Sequence, residues 1–248
     1  MEKSAVILAG GEGKRMKSSK PKALSLVLGK PMLKWVIDSV ESAGISNICV
    51  VTGFGRNFTE DYINSISDTI QTAYQAERLG TGHAVMMCRD FLRKNKGDVV
   101  VLNGDAPFMD SETISKAYAL HKENSSCATV ISSRVENPFG YGRIIRDEKG
   151  LLTAIVEQKD TTEEQALIDE VNSGCYWFDT ESLLQILDEL TNNNASGEYY
   201  ITDAVSLLLK KGKTVCAYTA DSANTVLGAN DPKQLDELNE IAKSMLSR

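Results

Sequence analysis

Ala5-Val6-Ile7-Leu8-Ala9-Gly10-Gly11-Glu12-Gly13-Lys14-Arg15-Met16, followed by Pro21-Lys22, is the most informative stretch of this chain. Its first four residues form a short apolar run of strand type that passes directly into glycines. A strand ending in several glycines lets backbone N–H groups come close to phosphate oxygens, because no Cβ intervenes. Arg15 and Lys22 add the positive charge that a triphosphate needs. Two better-known phosphate motifs fail here. A Walker A loop requires G-x-x-x-x-G-K-[ST], whereas Lys14 is followed by Arg15. The dinucleotide fingerprint G-x-G-x-x-G lacks its third glycine, because Gly11-Glu12-Gly13 runs on into Lys14, Arg15 and Met16. Taken alone, the loop leaves a flexible glycine turn with solvated charges equally open.

From this stretch onward, β-type runs alternate with helical patterns. Ala5–Leu8, Ile48–Thr52, Val99–Leu102 and Ala128–Ser132 read as buried strands. Met32–Ala43, Gly82–Arg93 and Ser111–His121 carry apolar residues at helical spacing. This alternation predicts an α/β fold with a mainly parallel, doubly wound sheet and ligands at the carboxyl ends of its strands. The middle of the chain differs. Gly142–Ile145, Leu151–Val156 and Val171–Phe178 are closely spaced strand-like runs, and Asp147–Gly150 offers hairpin-turn chemistry. They predict an antiparallel excursion from the core sheet, placed to cover a second substrate. Asp160–Glu170 reads as a loop or surface helix. Ser182–Leu190 and Ile201–Lys211 read as helices, Val215–Tyr218 as a strand and Gln234–Leu246 as a terminal helix. The expected organisation is one domain over residues 1–230. Residues 231–248 then form a helix packed on it or the start of a linker.

The 248 residues are enough for a sizeable core, and the hydrophobic share of 42% and charged share of 25% are those of a globular protein. A formal charge of -7 speaks against a nucleic-acid-binding surface, which calls for a basic stripe. A small anionic substrate stays open, because a bound divalent cation reverses the local field. No apolar stretch is long enough to span a bilayer, and the apolar run at the start is too short for a signal sequence. The expected location is the cytoplasm, and no protein partner is evident. The five cysteines are scattered without any CxxC, which fits reduced thiols.

Three further places carry chemistry. Asn103-Gly104-Asp105 follows the strand Val99–Leu102, where a hard carboxylate oxygen suits Mg²⁺ held partly by substrate phosphates. A Gly-Asp turn that caps the next helix is the competing reading. In Tyr74-Gln75-Ala76-Glu77-Arg78-Leu79-Gly80-Thr81-Gly82-His83, a strand gives way to a polar loop and a helix start. Free N–H groups there can bind a base or an anion. His83 reads as a helix-start residue, and two histidines far apart give little support to a His-based site. Gly140-Tyr141-Gly142-Arg143 with Glu157, and Asn172-Ser173-Gly174, bring amides and a carboxylate able to bond sugar hydroxyls; in isolation, turns around an antiparallel hairpin are the better reading.

In this order the motifs resemble the uridylyltransferase domain of bifunctional N-acetylglucosamine-1-phosphate uridylyltransferase/glucosamine-1-phosphate acetyltransferase. The resemblance runs from about Val6 to Asn230. It rests on Leu-Ala-Gly-Gly-x-Gly-x-Arg-Met, Pro21-Lys22, the Gln75–Ala84 block, Gly104-Asp105 and Gly140-Tyr141-Gly142-Arg143-Ile144. It continues through Val156-Glu157-x-Lys159-Asp160, Asn172-x-Gly174 and the Thr191–Asp203 block. The first motif is common to sugar nucleotidyltransferases, while the Gln75–Ala84 and Thr191–Asp203 blocks are far more particular.

The resemblance implies a Rossmann-like nucleotidyltransferase fold that forms UDP-N-acetylglucosamine, a peptidoglycan precursor, from UTP and N-acetylglucosamine 1-phosphate. It implies that Leu8, Ala9, Gly10, Gly11, Gln75, Gly80 and Thr81 surround the nucleotide, with Asn103, Gly104 and Asp105 beside them. Gly142, Glu157 and Asn172 are implied to face the amino sugar. Asp105 and Asn230 are implied as Mg²⁺ ligands, and Arg15 and Lys22 as catalytic cations facing the triphosphate. Asn103 stands where some relatives carry a larger residue. No hexapeptide repeats are present to build a left-handed β-helix, so neither acetyl transfer nor a trimer held by such a domain is expected. Transfer to a different sugar 1-phosphate and a catalytically silent nucleotide-sugar-binding regulator are the alternatives.

Overall fold

Residues 2–16, 18–194 and 196–247 are described by a computed structural model of the chain. The first strand, β1 (Lys3–Leu8), runs parallel to β2 (Asn47–Thr52) on one side and β4 (Asp98–Asn103) on the other, and β2 pairs in parallel with β3 (Gln71–Tyr74). Beyond β4 the sheet continues through β8 (Glu170–Asp179), β5 (Ala128–Arg134) and β9 (Val215–Thr219), giving the order β9-β5-β8-β4-β1-β2-β3. The short strands β6 (Arg143–Arg146) and β7 (Leu152–Val156) form a hairpin attached to β8.

Period-two alternation along the inner strands feeds two cores. On β1, Ala5 and Ile7 face one core while Val6 faces the other; on β4, Val100 and Leu102 divide from Val99 and Val101 in the same way. Helices cover both faces. α1 (Met32–Ser42) buries Met32, Leu33, Val36, Ile37 and Val40, an apolar stripe at helical spacing. α5 (Ser111–Glu123) starts on an Asp110 side chain that accepts from the Thr113 amide at 2.7 Å.

The mainly parallel sheet expected from the sequence is present, and so is its antiparallel part, which reaches inside it: β8 lies within the sheet, antiparallel to both β4 and β5. The reason is burial on both faces, since Tyr176, Trp177 and Phe178 are all buried and such a run needs cover on either side. The helical stretch Gly82–Arg93 is two short helices, α3 (Thr81–Met86) and α4 (Arg89–Lys94), broken at the buried Cys88. The loop-or-helix segment Asp160–Glu170 holds one short helix, α6 (Glu163–Ala166), opened by a Thr162/Gln165 capping box. A helix absent from the sequence expectation, α2 (Arg56–Ile66), buries Thr59 and Ile63 and packs Tyr62 and Ile66 against the same core.

α7 (Thr180–Leu187) and α8 (Ile201–Lys210) complete the body. The terminal helix α9 (Pro232–Leu246) packs Leu238 and Ala242 against Val27, Met32 and Phe108. All five cysteines are free thiols, and the Cys49 and Cys88 sulfurs lie 3.6 Å apart. Among the described residues no helix is long and apolar enough to cross a membrane.

At the amino end of β4, away from the glycine loop, Asp98 is buried among Tyr118 (3.0 Å), Lys122 (2.9 Å) and His121 (3.4 Å). Burial alone would raise its pKa, but the bonds from His121, Lys122 and Tyr118 outweigh that and hold it at about 2. A depressed folded pKa gives stability that is present above the unfolded value near 4 and lost as pH falls through 2. Asp98→Asn should therefore cost roughly 2 kcal/mol at neutral pH and progressively less on acidification from pH 4 to 2. Denaturant midpoints of both proteins across pH 2–7 test this; a gap that stays constant with pH would refute it.

Candidate active site

The cleft starts where β1 ends. The Ala9 amide donates to Val51 O at 2.9 Å and Gly10 O accepts from the Phe54 amide at 3.0 Å, which holds the loop against the carboxyl end of β2. A Cβ at Gly10 would sit 3.1 Å from Gln75 Oε1, whereas one at Gly11 would meet nothing within 4 Å. Gly11 therefore faces open space. Gly13 has φ +61°, and a Cβ there would lie 2.8 Å from Lys22 Cβ, so the loop needs glycine to let the Lys22 stem pass.

Leu8, Ala9, Gly10, Gly11, Lys22, Gln75, Gly80, Thr81, Asn103 and Asp105 all line one cavity of about 470 Å³. Gly142, Glu157 and Asn172 line a second of about 510 Å³, together with Arg15, Asp105 and Asn230. Asn103 lines both, so the two form one cleft. Gly104 lines neither; it faces Leu8 O and Ala9 on β1, with no room for a side chain. Arg15 is exposed and belongs to the second cavity.

The two particular sequence blocks prove to be one interlocked unit. Tyr199 O accepts the Gly82 amide and the Tyr199 amide donates to Leu79 O, both at 2.7 Å, while Thr81 Oγ1 accepts the Ile201 amide at 3.0 Å. This corrects the expectation of free amides at the start of α3, because the Gly82 N–H is already bonded. Gln75 is buried, and its Nε2 donates to Gly80 O at 3.0 Å and lies 3.2 Å from His83 Nδ1. His83 thus braces Gln75 and lines neither cavity.

On the other side, a bulge in β8 between Asn172 and Cys175 aims Asn172 into the cleft. Its Nδ2 donates to Tyr176 Oη at 2.8 Å and its Oδ1 accepts the Gly174 amide at 3.1 Å. Gly174 has φ +74°, a conformation that favours glycine, and a Cβ there would push Asn103 Nδ2 aside. Glu157 sits opposite, with Oε2 3.4 Å from where a Gly142 Cβ would be. Burial, then the charges of Asp160 and Asp203, push the Glu157 pKa up against a bond from Thr202. Such a carboxyl is poised to exchange hydrogen bonds with hydroxyls.

Between the two halves, Lys22 pairs with Asp105 and donates from Nζ to Asn230 Oδ1 at 2.9 Å. The two oxygens converge on one cation, here an ammonium, so they could equally hold a metal ion. Among the described residues no group of three His, Cys, Asp or Glu could hold a metal. A cation at Asp105 and Asn230 would need further oxygens, which Mg²⁺ commonly takes from substrate phosphates. Sequence reasoning missed Glu12 and Arg78, which line the first cavity and form a 2.7 Å ion pair across its mouth. It also missed Tyr176 and Gly228; a Cβ on Gly228 would press on Asp105 O at 2.8 Å. Local spacing carries no signal for these.

With this geometry, comparison with known proteins is informative. The nucleotidyl transferase family profile matches residues 4–225. The chain belongs to the nucleotidyl transferase family. Curated relatives of this nucleotidyl transferase include the bifunctional protein GlmU of Acetivibrio thermocellus, 43% identical over 98% of the chain and 52% of the relative. The bifunctional protein GlmU of Clostridium novyi is 46% identical over 98% of the chain and 53% of the relative. The chain thus spans about half the length of the curated relatives it matches. A crystal structure of UDP-glucose pyrophosphorylase complexed with UDP-glucose shares the fold, with a TM-score of 0.79 and 20% identity over 99% of this chain and all of that one.

Gly80 offers a direct check on the first cavity. It has φ +103°, and a Cβ would lie 2.5 Å from Tyr199 O. Gly80→Ala should destabilise the fold by about 1–3 kcal/mol, since it joins an unfavourable φ to a backbone clash. It should also weaken nucleotide binding. Denaturant unfolding and calorimetric titration with UTP measure both; unchanged stability would show that the loop adapts.

Proposed function

We propose that the protein catalyses transfer of a uridylyl group from UTP to N-acetylglucosamine 1-phosphate, releasing pyrophosphate and forming UDP-N-acetylglucosamine. The observation that carries this reading is the single cleft whose two ends meet at Asn103. The glycine loop and the Gln75–Thr81 segment lie at one end, the Gly142–Glu157–Asn172 set at the other, and Lys22, Asp105 and Asn230 between. The relatives of about 40–46% identity support the same direction.

The acceptor phosphate oxygen attacks the α-phosphorus, the bond to the β-phosphate oxygen breaks, and pyrophosphate leaves. The protein need supply no nucleophile. Neither histidine and no cysteine lines the two cavities, and Cys175 is fully buried with a pKa pushed up by burial to about 11. The chain's own contribution is alignment and charge neutralisation. Gln75 Nε2 is engaged with Gly80 O, which leaves Oε1, beside Gly10, as an acceptor. An acceptor there suits the N3–H of uracil and not the unprotonated N3 of cytosine. Arg15 and Lys22 face the phosphates. Glu157 and Asn172 orient the sugar through its hydroxyl groups. Mg²⁺, when bound, would lie on Asp105 and Asn230 and neutralise phosphate oxygens.

A pyrophosphate-release panel crossing UTP, CTP, dTTP and ATP with N-acetylglucosamine 1-phosphate and glucose 1-phosphate, with and without Mg²⁺, tests the assignment. UTP with N-acetylglucosamine 1-phosphate should give the highest kcat/KM and depend on Mg²⁺. Clear turnover of another pair beside none for this one would refute the specificity. Binding of the UDP-sugar without turnover of any pair would point to a regulatory protein.

Two substitutions divide the roles. Arg15→Ala should lower kcat about 100-fold, the usual loss of a preorganised charge stabiliser. Glu157→Gln should raise the KM for the sugar phosphate about tenfold while leaving that for UTP within about twofold, because it removes a charged hydrogen bond from one substrate only. Equal effects on both KM values would place Glu157 outside the acceptor end.

A further inference from the structure

Lys22 is constrained at both ends. Its ammonium pairs with Asp105 and donates to Asn230 Oδ1 at 2.9 Å, with the side chains of Lys22 and Asp105 only 16% and 25% exposed. Its stem runs past Gly13, where an added Cβ would lie 2.8, 3.1 and 3.2 Å from Lys22 Cβ, Cγ and Cδ. The residue therefore links the prospective metal ligands to the phosphate-facing loop.

The charge balance at this point is simple. Asp105 and Asn230 together offer one negative charge and one amide oxygen, and the ammonium already neutralises the one and engages the other. A divalent cation arriving alone meets its own ligands occupied and a like charge in place, in a partly desolvated pocket where Coulomb terms are stronger than in water. A nucleotide changes both sides of the balance. Its phosphates offer the ammonium new acceptors beside the loop that flanks the Lys22 stem, and they offer the metal the oxygens that two protein ligands cannot supply.

We propose that Lys22 is a resident counter-cation that bars free divalent metal from Asp105 and Asn230 and yields only to nucleotide phosphates. Metal thus enters with the nucleotide and not before it. This rests on reading Asp105 and Asn230 as the metal ligands, as above.

The test is Mn²⁺ binding to the full chain without nucleotide, read from the free-ion electron paramagnetic resonance signal. Lys22→Met and Lys22→Gln should both bind Mn²⁺ about tenfold more tightly than the parent protein, because each removes a unit charge from beside the site. Lys22→Arg, which keeps the charge, should stay within about twofold of the parent. Adding Asp105→Asn to Lys22→Met should abolish the gain. With nucleotide the sign reverses: at saturating Mn²⁺, Lys22→Met should bind UTP several-fold more weakly. The proposal is overturned if both neutral variants bind Mn²⁺ no more tightly than the parent, or if the gain survives Asp105→Asn. Circular dichroism and thermal melting of each variant establish that it is folded. The Mn²⁺ measurement uses neither UTP nor sugar phosphate, so failure of the pyrophosphate panel would sink the functional reading alone. Turnover of UTP beside unchanged Mn²⁺ affinity would sink only this one.

Discussion

One ammonium group ties together three distant parts of the chain at the middle of the cleft. Lys22 follows the glycine loop, Asp105 lies just past the end of β4, and Asn230 precedes the terminal helix, yet they share a single set of contacts. Removing two charges from water is costly, and a partly buried ion pair is weak grounds for stability alone. This pair instead sets the relation between loop, sheet and terminal segment. Asn230 is held from its other side as well, since its amide donates to Gln234 Oε1 at 2.7 Å while Asp231 caps α9. The position of the last helix thus bears on the chemistry at the end of β4.

The end lined by Gly142, Glu157 and Asn172 depends on a different constraint, the placement of β8 between two strands that run opposite to it. A strand buried on both faces is rigid, and a bulge within it turns Asn172 toward the cleft without disturbing Tyr176, Trp177 and Phe178 in the core. Trp177 locks this arrangement by donating its indole N–H to Ile114 O at 3.0 Å on α5. The β6–β7 hairpin then carries Gly142 and Glu157 over the same point. Its turn is closed by Asp147 Oδ1, which accepts the Lys149 and Leu151 amides at 2.9 Å each. Sheet below and short hairpin above enclose a space lined by Gly142, Glu157 and Asn172.

The end of the cleft proposed for the nucleotide is built by interlock. Tyr199 and Ile201 bond to Leu79, Thr81 and Gly82, so the loop bearing Gln75 and Gly80 rests on a segment more than a hundred residues away. Free backbone donors at this end of the cleft are accordingly fewer than a bare helix start would offer. Gln75, braced by His83, keeps its Oε1 beside Gly10 at the same end.

Much of this was legible from residue order, because glycines, strand periodicity and capping residues act over a few neighbours. The β1-to-loop transition, the stripe on α1, the Asp147–Gly150 turn and the apolar runs of β2, β4 and β5 follow from local sterics and burial, as does the family resemblance carried by contiguous motifs. The helix α2, whose residues are mostly polar, was not read from the sequence, nor was the break at Cys88. The insertion of β8 into the sheet, the bulge at Asn172, the Glu12–Arg78 pair and the occupation of Asp105 and Asn230 by Lys22 all join residues far apart along the chain. No spacing rule encodes such contacts. Local chemistry specified which residues could bind phosphate, base or sugar; long-range packing settled which of them meet, and which are already engaged with one another.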